Sequence, residues 1–323
     1  MGKRIVNVGI CTVDAIGQYV DQYPQRRGLV FFDRLTLTTG GNAVNCSIAL
    51  GKLGVGCEAI VKVGRDIFGE FVCEELARHG VGLEGVIRSD DAGTPFTFVC
   101  AHRDGERSFI HTPGTNATLR FEDIDLARIE RADIVFVTGT MVMARLDGEP
   151  TARLLEWARR SGAITMLDTV YADTVPRDTW RRTLEPCLPH LDYFVPSLPE
   201  ARLLTGQDDP LAMLARFQQA GCRNVVIKLD AEGAVCGDSA GGRWRVGAYR
   251  VENAVDATGA GDTWCAGFLA GLAQDLSFVE CVRLGHAVAA HCVQHTGASA
   301  GIPPLEDVQA FQGRAAGGRV QPV

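Results

Sequence analysis

Asp256–Ala257–Thr258–Gly259–Ala260–Gly261–Asp262 places an acid at either end of a run of small residues. Small residues let backbone N–H groups converge on an anion, and a helix starting there adds its partial positive charge. Such a helix is legible in the apolar Trp264, Phe268, Leu269 and Leu272 just downstream. A carboxylate at Asp262, beside a phosphate cradle, can accept a proton from an attacking hydroxyl. The same residue also reads as an N-capping Asp after a flexible loop, and the motif alone leaves both readings open. A second constellation, Gly40–Gly41–Asn42–Ala43–Val44–Asn45, comes after a strand-like run and opens another helix. Its glycines allow backbone conformations closed to other residues, and the amides of Asn42 and Asn45 suit sugar hydroxyls.

Other patterns carry less. Gly237–Asp238–Ser239–Ala240–Gly241 matches a hydrolase elbow, but that chemistry needs a strand before the serine and a helix after it. The residues downstream, Arg243–Trp244–Arg245–Val246, are strand-like instead, so a hairpin turn is expected. His102–Arg103–Asp104 has no D-F-G partner and lies in a second expected hairpin turn. His291 and His295 have the spacing of a helical metal pair but no third ligand in register. A Walker A loop needs Gly-Lys followed by Ser or Thr. Lys3, Lys52, Lys62 and Lys228, the whole lysine complement, are followed by Arg or an aliphatic residue.

The elements that must position these motifs alternate between short β-rich runs and helical patterns. Strands are expected at Ile5–Ile10, Leu29–Thr38, Glu58–Val63, Phe96–Ala101 and Ser108–Thr112, and helices at Ala43–Leu53 and Ile67–His79, with Gly80 as a cap. After about residue 130 the rhythm becomes strand–helix, through Ile134–Val137, Ile164–Leu167, Tyr193–Val195 and Val225–Leu229. Helices are expected between them at Ala152–Arg160, Pro199–Leu204 and Leu211–Ala220, then at Asp262–Ala273 and Val282–Gln294. That rhythm predicts a doubly wound parallel α/β sheet. The earlier strands, within about 12–40 and 93–114, predict a small antiparallel sheet covering the main one. Residues Gly313–Val323 read as loose.

Composition narrows the function. Thirty-two basic side chains against 39 acidic ones give a net charge of −7, which makes a poor nucleic-acid binder, since affinity for phosphate backbones comes from clustered Lys and Arg. No run approaches the roughly 18 apolar residues that span a bilayer. The 11 cysteines include no CxxC pair, so free thiols in a reducing, cytoplasmic compartment are expected. Because Met1–Gly2–Lys3–Arg4 precedes a strand-like run and no long apolar core, no leader is expected.

Taken in order, the two motifs resemble the paired signatures of the ribokinase-like carbohydrate kinase family, of the phosphofructokinase-B type. The resemblance takes in Gly9 and Asp14, Gly64–Arg65–Asp66, Gly105–Glu106–Arg107, Lys228–Leu229–Asp230–Ala231–Glu232–Gly233, Gly285–His286–Ala287 and Gly297–Ala298. It implies a three-layer α/β/α fold with a small β-sheet lid, one kinase domain over residues 1–323, and ATP-dependent phosphorylation of a hydroxyl on a small sugar or sugar acid. The substrate class is that of ribose, fructose or 2-keto-3-deoxygluconate. The alternatives are a nucleoside kinase on the same scaffold and a catalytically silent sugar-binding regulator.

The resemblance also implies roles. Asp262 matches the general base, and Gly259, Ala260 and Gly261 match the anion hole for the γ-phosphate. Asp14, Gly41, Asn42 and Asn45 match sugar-holding positions. Asp256 and Thr258 match a monovalent cation site, usually for potassium, while Lys228, Asp230, Gly233, Thr258 and His286 match nucleotide contacts. The family's Asn-x-x-Glu motif, which handles Mg²⁺ and phosphate, reads Ser197–Leu198–Pro199–Glu200, with Glu200 kept and Ser197 in place of Asn. Lys228 and Asp230 stand where many relatives have Thr and Gly. Self-association through the covering strands is expected from the apolar Leu29–Val30–Phe31–Phe32.

Overall fold

A computed structural model describes residues 2–104, 106–170 and 177–323. The first half contains β1 (Ile5–Gly9), β2 (Thr12–Gln18), β3 (Arg34–Gly40), α1 (Asn42–Lys52), β4 (Cys57–Ile60), β5 (Lys62–Gly64), α2 (Ile67–Arg78), β6 (Ile87–Ser89), β7 (Phe96–Ala101), β8 (Arg107–Thr112), α3 (Leu126–Glu130) and β9 (Ile134–Thr140). Next come α4 (Glu149–Arg160), β10 (Ile164–Thr169), α5 (Arg177–Leu184), β11 (Tyr193–Phe194), α6 (Leu198–Thr205), α7 (Pro210–Gln219) and β12 (Asn224–Lys228). The chain ends with β13 (Ala234–Gly237), β14 (Arg243–Val246), α8 (Ala260–Ala273), α9 (Phe278–Cys292), α10 (Leu305–Arg314) and β15 (Val320–Pro322).

Among the described residues the main sheet has nine strands, in the order β15-β14-β13-β12-β11-β10-β9-β1-β4. From β12 to β4 every pairing is parallel, and β13–β15 add antiparallel strands at one edge. The parallel strands are apolar on both faces, as a sheet covered on both sides requires. Val135 and Val137 face the layer containing α4 and α7, while Ile134 and Phe136 face α1, α8 and α9. The helices after β1 and β9 thus lie on opposite faces, so the chain reverses its winding between these adjacent strands. The carboxyl end of that switch point is where open α/β sheets bind ligands.

A second sheet, in the order β3-β2-β7-β8, stands on the carboxyl-terminal side of β1. It is mixed rather than antiparallel, because β2 and β7 run parallel. Two clamps fix its junctions with the main body. Asn116 accepts from Cys11 N (3.2 Å) and donates to Cys11 O (2.7 Å). Asp66 caps α2 at Gly69 N and also accepts from Thr94 N and Oγ1, at 2.8 and 2.7 Å. The Gly64–Arg65–Asp66 motif therefore ties the start of α2 to the segment leading into β7.

Several boundaries differ from the sequence reading. Leu29–Phe32 lies outside any strand: β2 ends at Gln18, so β3 has a partner only from Arg34 onward. The run Glu58–Val63 divides at Val61 into β4 and β5, which belong to different sheets. The supposedly loose C-terminus forms part of α10 and then β15, which closes on β14. Gly237–Gly241 is the expected hairpin turn between β13 and β14. Gly105, expected from the sequence in the other hairpin turn, lies outside the described residues.

Candidate active site

Two helix N-termini meet at Asp262. Helix α1 starts at Asn42 behind Gly41, whose φ is +87° and whose Cβ, if present, would stand 2.6 Å from Cys11 Cα. Helix α8 starts behind Gly259, with φ +74°, where an added Cβ would stand 2.1 Å from Ala298 O. No other residue fits either position, so these glycines set where both helices begin. Asn42 and Asn45 are three apart and share one helical face. Asn42 Nδ2 donates to Asp262 Oδ1 at 2.7 Å and Asn45 Nδ2 to Oδ2 at 2.8 Å. Burial pushes the Asp262 carboxyl up to about 6, against the opposing effects of Asn45, Asn42 and Lys228. Asn45 Oδ1 is buried with no hydrogen-bond partner.

The loop before Asp262 is shaped for approach. Ala260 N–H closes a turn onto Ala257 O at 3.1 Å. At Gly261 an added Cβ would meet only Lys228 Nζ, at 3.8 Å, so its backbone borders open space. Below this loop, Lys228 Nζ donates to both oxygens of Asp168 at 3.0 Å. Cys265 Sγ is 3.5 Å from Asp168 Oδ2. Glu200 is buried in the N-terminal turn of α6 and accepts from Ser197 N at 2.6 Å. Ser197 itself bridges to Lys228. Burial raises the carboxyls of Asp168 and Glu200, and the charge of Asp168 reinforces this in Glu200. Burial alone would lower the Lys228 ammonium, but Asp168, Cys265 and Glu200 outweigh it and raise it. Acidic groups thus surround one buried cation.

Asp256 holds the start of the loop. Its Oδ1 accepts from Thr258 N (3.0 Å) and Oγ1 (2.6 Å), and its Oδ2 from Gly297 N (3.1 Å) and Arg107 Nη2 (3.3 Å). Burial opposes ionisation of Asp256, but these donors outweigh it and hold its carboxyl below the ordinary range.

Asp14 lies on β2 beside Gly40, where an added Cβ would stand 2.4 Å from its Oδ2. Strand register puts it in a row with Thr38, Thr97 and His111, a polar stripe over one face of the small sheet. Burial raises its carboxyl, with Thr97 acting against this. The structure does not gather every residue singled out by sequence. Asp230 is exposed in the turn after β12, at φ +51°. Gly233 ends that turn at φ +100°. His286 is enclosed between α8 and α9, where its Nδ1 accepts from Trp264 Nε1 at 3.1 Å, and burial lowers it to about 4. Among the described residues, no three His, Cys, Asp or Glu side chains group as metal ligands, and His291 packs on Phe311. Asp168 escaped sequence reasoning and could have been found as an acid closing a buried strand run, whereas Arg107, within a segment of the resemblance, was given no role because nothing local shows its reach to Asp256.

A doubly wound sheet, a small second sheet joined to it and a buried acid at a helix N-terminus define the site. Residues 3–305 match the pfkB family of carbohydrate kinases. The chain belongs to that family and is an ATP-dependent sugar kinase. It is 30% identical over 263 residues to an uncharacterised sugar kinase of Archaeoglobus fulgidus, covering 80% of this chain and 100% of that one. Identity to the 2-dehydro-3-deoxygluconokinase of Bacillus subtilis is 28%, over 84% and 85% of the two chains. For the ribokinase of Mus musculus it is also 28%, over 94% and 93%. The fold matches the Thermotoga maritima ribokinase at a TM-score of 0.83 and 25% identity, covering 97% of this chain and 100% of that one. The Arabidopsis thaliana ribokinase, complexed with ribose and ATP, superposes at 0.86 with 23% identity, over 97% and 99%.

Proposed function

We propose that this kinase phosphorylates a hydroxyl of a small sugar or sugar acid of the ribose, fructose or 2-keto-3-deoxygluconate class, with Asp262 as general base. The observation carrying this reading is the carboxylate of Asp262 at the start of α8, oriented by Asn42 and Asn45 and raised to about 6. A base poised near neutrality both ionises and accepts a proton readily. The sugar oxygen attacks the γ-phosphorus in line, the bond to the ADP oxygen breaks, and the hydroxyl proton passes to Asp262. Backbone at Gly259, Ala260 and Gly261 and the α8 N-terminus would hold the phosphoryl oxygens, with the Lys228 charge beneath.

Asn42, Asn45 and the stripe containing Asp14 would supply polar groups for sugar hydroxyls, and Gly41 lets the chain pass close to them. Glu200 fits a role in holding Mg²⁺, since that ion binds through one or two carboxylates plus waters and substrate phosphates. The ion would neutralise phosphate charge. Ser197, Asp230, Gly233 and Thr258 would face or support the nucleotide, His286 would act only from behind Trp264, and Asp256 with Thr258 would hold a potassium ion. We read residues 1–323 as one kinase unit in which about 12–40 and 93–114 form the lid, closing to exclude water. The 11 free cysteines support a reducing, cytoplasmic location. Among the described residues no helix is long and apolar enough to cross a membrane.

ATP consumption across ribose, fructose, 2-keto-3-deoxygluconate, tagatose and adenosine tests the substrate class. Adenosine belongs in the panel because the exposed Phe109 shares the polar face of the small sheet and offers a base something to stack on. Turnover confined to adenosine would replace the sugar reading with the nucleoside one.

A further inference from the structure

Arg107 opens β8, on the small sheet, yet its guanidinium reaches the main body. Nη1 donates to Thr258 Oγ1 at 3.1 Å and Nη2 to Asp256 Oδ2 at 3.3 Å. Thr258 Oγ1 donates in turn to Asp256 Oδ1, so guanidinium, hydroxyl and carboxylate close a ring. The fork geometry of Arg suits this two-point grip, which a lysine's single ammonium cannot reproduce. Asp256 is largely buried, and Arg107 keeps about a third of its side chain exposed (8% and 35%). The remaining donors to Asp256 are backbone or neighbouring groups of the loops it ties together, so Arg107 is the contact that comes from the small sheet.

We propose that Arg107 is a positioning residue that couples closure of the small sheet to order in the Asp256–Asp262 loop. The sheet cannot swing away without releasing Asp256 and Thr258, and a loosened loop cannot hold Gly261 and Asp262 in place. Sheet closure and readiness of the loop are then one event. This deepens the function proposed for the site, since it takes that loop as the phosphate-facing one. Its test, however, needs no reaction.

Hydrogen exchange on the ligand-free protein compares wild type with Arg107→Ala and Arg107→Lys. Peptides covering 256–262 and 107–112 should both exchange about fivefold faster in Arg107→Ala, the scale of a partly exposed ion pair. Peptides from β9 and α4 should be unchanged, which reports an intact fold. Arg107→Lys should restore little, and millimolar guanidinium ion should slow exchange again in Arg107→Ala. Acceleration in only one of the two segments, or in neither, overturns the coupling even if kcat falls. A kcat loss with unaltered exchange would assign Arg107 to the substrate instead.

Discussion

Asn45 Nδ2 donates to Asp262 Oδ2 at 2.8 Å, joining the first turn of α1 to the first turn of α8 across 217 positions of chain. With Asn42 on the other oxygen, the carboxylate has one orientation available. That constraint fixes the carboxylate proposed above as the general base.

Asp262→Asn should lower kcat on the best sugar by about 10²–10⁴-fold, the range for a positioned general base, with ATP affinity by calorimetry nearly unchanged. Retention of more than about a tenth of the turnover would reduce Asp262 to an N-cap. Stability carries a second signature. Because the folded carboxyl is raised from 3.8 to about 6, protonation favours the fold. Relative to Asp262→Asn, the wild type should lose stability as pH rises through that window, measured as melting temperature against pH.

The rate should fall as pH drops through about 6, where Asp262 takes up a proton. Asn45→Ala removes a donor that favours the ionised form. The acid limb of kcat/KM should then move upward by about one pH unit, the scale of a hydrogen bond to a charged group. A limb that stays in place would separate Asn45 from the base.

Lys228→Met should destabilise the fold by about 3–5 kcal/mol in urea titrations, because Asp168 and Glu200 lose their buried cation. Without that charge Asp262 should also protonate more readily and raise the acid limb. If Lys228 acted only on the nucleotide, stability would hold and KM for ATP alone would rise.

Potassium should raise turnover over tetramethylammonium at matched ionic strength, through Asp256 and Thr258. Equal rates in the two salts would discard the cation.

The outer face of the small sheet carries Leu35, Leu37 and Ile110 at 52%, 47% and 55% exposure. Leu37 and Ile110 share one cross-strand row. A second copy of the chain could cover this apolar face. Light scattering should then report a dimer at micromolar concentration and a monomer for Leu37→Glu. A monomeric wild type would sink the expectation.

Much of this was legible in residue order. Short, β-branched apolar runs such as Ile134–Val137 read as strands covered on both faces, and their alternation with helical stripes points to a wound parallel sheet. Gly259 and Asp262 announced a helix start with an acid in its first turn, because local backbone chemistry decides such features. Partner choice between distant segments is another matter. Periodicity marks β2 and β7 as strands but does not say that they pair in parallel. Nor does it show that β15 closes on β14, since sheet register depends on which edges the packed helices leave open. The grip of Arg107 on Asp256, the burial of Lys228 against Asp168 and the enclosure of His286 behind Trp264 all depend on contacts between residues far apart in sequence. Those contacts exist only once both faces of the sheet are packed, because a charge finds its partner by proximity and loses its water by burial, and neither is written in local order.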